Sequence, residues 1–440
     1  MTDTSTSAPS LSQLAAAAPA ERDRYADLLR LFSITMVALG HWVVALLTAH
    51  GTGSVSTSMP LMLSTWIWQV MALFFFVGGF AHARALRHEP PTGEFVRARL
   101  ARLLPPATAM LAIWTVLATA IELIAKAGAD PRGAAAGELN TGMHKITVPL
   151  WFLGVYLVIV LAAPAMMRLH RRYGLGPVLG VLAVAAAVTD LISIGAGLAP
   201  VGYANLLFVW LAVHQLGFGY ADGTLTGGGR RLAAVMAIGG LAGTIALVFG
   251  PTRYPVLMVG LPGNEAANSS PPTCALLTQS VFLIGLALLL RPAGSAWVRR
   301  PKVWLAVAAG NSMIMTIFCW HLSACYLVQG ALLATGTRLP AADTGWWLLV
   351  LPAWLVACTL VCAGLVVVFR RFERLRPPAP VGPVAAVTGL LAAAVGLFAV
   401  SETGLNAATT AAYPSPAALL SVALVGLAAL GLVKRTQEVL

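Results

Sequence analysis

Two side chains in the first apolar stretch have the types and spacing for acid–base chemistry on an anionic substrate. Arg30 and His41 are 11 residues apart. At about 100° per residue this is roughly three helical turns plus ~20°, with a rise of ~16 Å, so both side chains share one face of a helix. A neutral imidazole suits proton transfer near neutral pH. A guanidinium suits phosphate oxygens, because its planar fork offers parallel donors. Asp27 lies three residues before Arg30, at ion-pair spacing, where it can orient the guanidinium. The plainer readings are an interfacial anchor for Arg30 and a structural hydrogen bond for His41, and the common face weighs against both. A single ligand would reach both only if it were long and kept its anionic end at the Arg30 mouth.

Other ionisable groups fall into two sets. Arg97, Arg99 and Arg102 form a basic stretch just after the second apolar run, near the Arg30 mouth, with side chains suited to an anion. His214 and Gln215 lie in the sixth run and His321 in the ninth, where polar groups are expensive and become candidates for function. Asp190 and Glu122 read as solvated carboxylates near run ends, and His82 and Arg84 as markers of the interface. Cys274, Cys319, Cys325, Cys358 and Cys362 match no zinc or haem spacing and read as small buried apolar residues, with no disulfide and no metal site expected.

The elements that must position these groups are membrane spans. The chain is 58% hydrophobic and 10% charged, against ~25% charged in soluble domains. A bilayer accommodates such a chain because helices satisfy their own backbone groups there. Apolar runs of span length lie near 28–49, 61–84, 103–124, 147–167, 175–195, 202–221, 232–250, 273–290, 304–330, 345–369, 382–402 and 415–433. Of the 28 Lys and Arg, 23 fall in one alternate set of connections and 5 in the other. By the positive-inside rule this alternation predicts an all-α bundle of twelve spans with both termini cytoplasmic. It also spreads the net charge of +12 over many short connections, which argues against a nucleic-acid partner. Residues 1–25, rich in Ala, Ser, Thr and Pro, are expected to be a disordered tail.

The first span, Tyr25-Ala-Asp-Leu-Leu-Arg30 with His41 following, resembles the acyltransferase-3 family of integral membrane acyltransferases. Further stretches fall in the family's order: Leu73-Phe-Phe-Phe-Val-Gly-Gly-Phe80, Arg102-Leu-Leu-Pro-Pro106, Pro149-Leu-Trp-Phe-Leu153, Ser270-Pro-Pro-Thr273 and Met315-Thr-Ile-Phe-Cys-Trp-His321. Gly78 stands where the family pattern FF-x-x-SGF has serine, and Phe318 and Cys319 where M-T-x-Y-L-W-H has Tyr and Leu. The resemblance implies a ten-span acyltransferase domain over about 26–376, with two added helices over 377–440. It implies a multi-pass protein of the plasma membrane that moves an acyl group, commonly acetyl, from acyl-coenzyme A to a hydroxyl of a saccharide, glycolipid or secondary metabolite. The acyl-coenzyme A is then a substrate, and no bound cofactor is expected. His41 would be the base and Arg30 the donor-binding residue, with Asp27, Arg97, Arg99, Arg102, Trp151 and His321 lining the substrates and His321 nearer the acceptor. The competing reading of twelve spans is a transporter or flippase. The predicted topology puts the connection around Pro90 inside and that around Asn264 outside. Cysteines introduced at these positions, probed in intact cells with an impermeant thiol reagent, should label at 264 and not at 90.

Overall fold

The computed structural model describes residues 22–49, 58–127, 145–252, 254–261, 266–341, 345–374, 383–405 and 420–425. Among these, 11 helical segments are long and apolar enough to cross a membrane. The helices are α1 (Arg24–Leu47), α2 (Met59–Trp68), α3 (Met71–Ala85), α4 (Thr92–Ala127) and α5 (Leu150–Tyr173). They continue with α6 (Leu175–Asp190), α7 (Asn205–Ala221), α8 (Gly229–Phe249) and α9 (Cys274–Val298). The last are α10 (Pro301–Asn311), α11 (Ile314–Ala334), α12 (Trp347–Phe369) and α13 (Pro383–Thr403). The described residues contain no β-strand, only isolated bridges between 267 and 272. The architecture is a polytopic helical bundle.

The helices depart from the sequence reading at two breaks. The second apolar run is α2 and α3, interrupted at Gln69–Val70. The ninth run does not start at 304: α10 ends at Asn311, and a new membrane-length helix, α11, starts at Ile314. The last run, near 415–433, is described only over 420–425, which is helical, and the rest of it lies outside the described residues. So does most of the expected tail, although Asp23 is seen, and its carboxylate caps α1 by accepting from the Ala26 backbone N–H at 3.0 Å.

The first helix packs against α3 and α11, with α9, α10 and α12 completing its surroundings. Contacts between helices in lipid gain little from apolar burial, so close backbone approach at small residues carries much of the packing. Helices α3 and α7 cross in this way. A methyl group built on Gly79 would lie 2.0 Å from the His214 carbonyl oxygen, and one built on Gly217 would lie 2.1 Å from that of Phe76. Helix α13 runs along α5, where a methyl on Gly154 would come to 3.0 Å from the Ala394 carbonyl oxygen.

Asp190 is not the solvated carboxylate expected. It is 4% exposed. It accepts hydrogen bonds from the Asn205 side-chain amide at 2.7 Å, the Tyr254 hydroxyl at 2.8 Å and the Cys274 backbone N–H at 2.7 Å. The last of these is an open donor of the first turn of α9, which needs such an acceptor. Asp190 therefore joins three elements.

The α3–α7 crossing gives a direct test. Gly79→Ala places a carbon against backbone that has no side chain to swing away, so the helices must separate. Overpacking of this kind costs about 1–3 kcal/mol or more. The purified variant should unfold at a clearly lower temperature than wild type, or fail to accumulate. An unchanged Tm would mean that the two helices are not in backbone contact.

Candidate active site

The geometry starts at one backbone carbonyl. Phe318 and His321 lie one turn apart on α11, and His321 Nδ1 is 2.6 Å from the Phe318 carbonyl oxygen. A carbonyl can only accept, so Nδ1 carries the proton. In the neutral ring Nε2 is then a bare acceptor. Its partner is His41 Nδ1, at 2.9 Å. That nitrogen must donate, which leaves the lone pair of His41 on Nε2. Among the described residues His41 Nε2 makes no hydrogen bond, and His41 is partly exposed. The two imidazoles thus form a relay, whose outer nitrogen is a free base.

Tryptophans fasten this pair. The Trp42 indole N–H donates to the His321 carbonyl at 2.7 Å, and the Trp354 indole N–H donates to the Trp42 carbonyl at 2.8 Å. The Trp114 indole N–H reaches the Ser323 hydroxyl at 2.8 Å. The Trp320 ring stacks on Phe369, with centroids 3.9 Å apart. At the start of α11, Glu373 accepts from both the Thr316 N–H and the Thr316 hydroxyl. A carboxylate there satisfies open donors and opposes the helix dipole. These bonds join α1, α4, α11 and α12 around the His41–His321 pair.

A cationic cluster lies beyond an aromatic wall. The rings of His321, Phe318, Phe152 and Tyr156 follow one another with centroids 6.1, 5.5 and 5.9 Å apart. Around Tyr156 the acting charges are those of Arg30, Arg99 and Arg102. Arg30 in turn feels Arg102, Asp27 and Arg22. The Asp27 carboxylate acts on Arg30 but makes its ion pair with Arg22. Arg30 makes no hydrogen bond among the described residues. Arg97, expected in the same set, lies on α4 two residues before Arg99. Trp151 sits in the first turn of α5, edge-on to Phe152 at 6.3 Å.

This constellation sits within a stretch that matches a known family model. Residues 23–369 match the acyltransferase-3 model, described as an acyltransferase domain. The chain belongs to the acyltransferase-3 family. Comparison with curated proteins and with solved structures gave no match. The matched stretch holds α1 through α12 and stops before α13. Membership makes this multi-pass membrane protein an acyltransferase.

His82 and Tyr156 escaped the sequence reading, while His214, a candidate there, proves to be the partner of His82. His82 is 1% exposed and not at an interface with water. Its Nδ1 lies 2.9 Å from His214 Nε2, and its Nε2 lies 3.3 Å from the Tyr156 hydroxyl. The signal was present: His82 follows Gly79 by three residues and His214 precedes Gly217 by three, so each histidine shares the close-packed face of its helix. Gln215, by contrast, is structural. Its amide N–H donates to His170 Nδ1 at 2.7 Å, and His170 Nε2–H donates to Asp222 at 2.9 Å.

His321→Leu removes the acceptor that holds the His41 proton on Nδ1, and turnover should fall on the order of 10²–10⁴-fold, the range of a general-base contribution. His321→Gln can still offer an amide oxygen and should keep more activity than the leucine variant. Comparing kcat of the two variants checks this, and equal values would remove the acceptor role.

Proposed function

We propose that this acyltransferase moves an acyl group, acetyl in the simplest case, from acyl-coenzyme A to a hydroxyl of a saccharide, glycolipid or secondary metabolite. The single observation that carries the reading is the free Nε2 of His41, left unprotonated by the relay to the Phe318 carbonyl. A thioester is already activated, so the demanding step is making the hydroxyl nucleophilic. His41 Nε2 takes the hydroxyl proton as the oxygen attacks the thioester carbonyl. The C–S bond breaks, and the departing thiolate takes the proton from His41. His321 accepts the His41 Nδ1–H throughout and favours the transient imidazolium.

The arginines supply the binding half of the reading. Arg30, Arg99 and Arg102 gather positive charge where the donor's phosphates would lie. Guanidinium–phosphate bonds are short, charge-assisted and frequently bidentate. The aromatic wall from Tyr156 to His321 suits the donor's neutral arm between the phosphates and the thioester, and it keeps water from the reacting carbonyl. The charge alternation favours donor entry from the cytoplasmic side of the plasma membrane.

One assay tests both halves. Membranes or purified protein, supplied with radiolabelled acetyl-coenzyme A and the lipid and metabolite extract of the host cell, should show transfer of label to a hydroxyl-bearing acceptor. His41→Gln should lower turnover on the order of 10²–10⁴-fold. Arg30→Ala should raise the donor Kd about tenfold or more, and Arg30→Lys should recover only part of it. No label transfer by wild type, or unaltered donor affinity in both arginine variants, would overturn the proposal.

A further inference from the structure

The buried pair His82–His214 and the hydroxyl of Tyr156 lie beside the arginines, and the proposed acyl transfer at His41 uses none of them. The side chain at 78 links them to the family pattern. The FF-x-x-SGF pattern places a serine there, and this chain has glycine. A methyl carbon built on Gly78 would lie 3.0 Å from the Tyr156 ring edge and 3.1 Å from its hydroxyl oxygen. A side chain at 78 and the Tyr156 hydroxyl therefore compete for the same space. The chain carries no hydroxyl at this place on α3 and holds one from α5 against the same spot.

The proton pattern of the network says where this hydroxyl points. His214 Nδ1 is buried and has no hydrogen-bond partner among the described residues. A buried N–H without an acceptor is the rarer and costlier orphan, whereas a bare lone pair is better tolerated. His214 is therefore protonated on Nε2 and donates to His82 Nδ1. His82 is then protonated on Nε2 and donates to the Tyr156 oxygen. The Tyr156 O–H remains free to donate. The charged groups acting on it, Arg30, Arg99 and Arg102, are donors only and offer it no acceptor. A donor hydroxyl among three cations fits one class of ligand, an anion with several acceptor oxygens.

We propose that Tyr156 is a donor-binding residue, its hydroxyl bonding a phosphate oxygen of the acyl donor in the place that Gly78 leaves without a hydroxyl. This rests on the acyl-coenzyme A reading and deepens it. Arg30, Arg99 and Arg102 supply charge, and Tyr156 supplies a fixed neutral donor held in register by His82 and His214. The phosphates bind where the wall of rings begins, so the neutral arm runs from Tyr156 towards His321.

The test uses the full chain purified in detergent, with coenzyme A and the phosphate-free pantetheine as probes, read by titration calorimetry. Tyr156→Phe should weaken coenzyme A about tenfold, as for a lost hydrogen bond to a charged group. It should leave pantetheine binding unchanged, since pantetheine has no phosphate. Adding Gly78→Ser to Tyr156→Phe should restore most of the coenzyme A affinity once the ring edge moves by a few tenths of an ångström. Adding Gly78→Ala, which brings the same carbon without the hydroxyl, should not. Equal coenzyme A affinity in wild type and Tyr156→Phe would overturn the inference while leaving the proposed function standing. So would a parallel loss of pantetheine, or serine and alanine behaving alike. A wild-type protein that binds no coenzyme A would end both readings.

Discussion

The Phe318 carbonyl oxygen, 2.6 Å from His321 Nδ1, fixes the protonation of everything that follows from it. Because it can only accept, it sets the tautomer of His321, and His321 sets that of His41. The surrounding bonds make sense as protection of this one register. Trp42 holds the His321 carbonyl, Trp354 holds Trp42, and Glu373 anchors the start of α11. A shift of α11 by a fraction of a turn would break the pair and return His41 to an undirected imidazole. Rigidity around a short relay is thus the constraint on the bundle.

The second constraint is electrostatic. Arg30, Arg99 and Arg102 share a region in which the nearby carboxylate, Asp27, is already bonded to Arg22. Cations held in partly desolvated surroundings are costly, and Asp27, which acts on Arg30, and Glu373, which acts on Arg102, offset part of that cost. The relay and the cluster are divided by rings rather than by polar groups. That division lets one part of the site be charged and the other dry.

Much of this was legible in the sequence and some was not. The span pattern follows from apolar runs and from the distribution of Arg and Lys, since both are one-dimensional signals. The pairing of Arg30 with His41 on one face is likewise a matter of helical period. The partner of His41 was not legible, because a contact between residues 41 and 321 depends on which helices become neighbours. Asp27 was assigned to Arg30 by spacing; it does act on Arg30, but its ion pair with Arg22 depends on the fold of the chain before α1 and was not legible. His82 was misread because its position near the end of a run suggested water, whereas Gly79 and Gly217 draw its helix tightly onto α7. The break before α11 was missed because Ser312–Met313 interrupts the helix without a proline or a charge to mark it.

The distance along the chain between His41 and His321 has a consequence for how the protein is made. The two residues are separated by 280 positions. At ribosomal rates of ~5–20 residues per second, the first span waits on the order of tens of seconds for its partner. Through that interval the nascent α1 carries a guanidinium and an imidazole into the membrane with neither the relay nor the aromatic wall in place. Intramembrane polar groups that lack their final partners are the ones that insertion machinery and quality control encounter. The helix that enters first is therefore among the last to reach its native hydrogen bonds, and its maturation reports on the arrival of the ninth membrane-length helix.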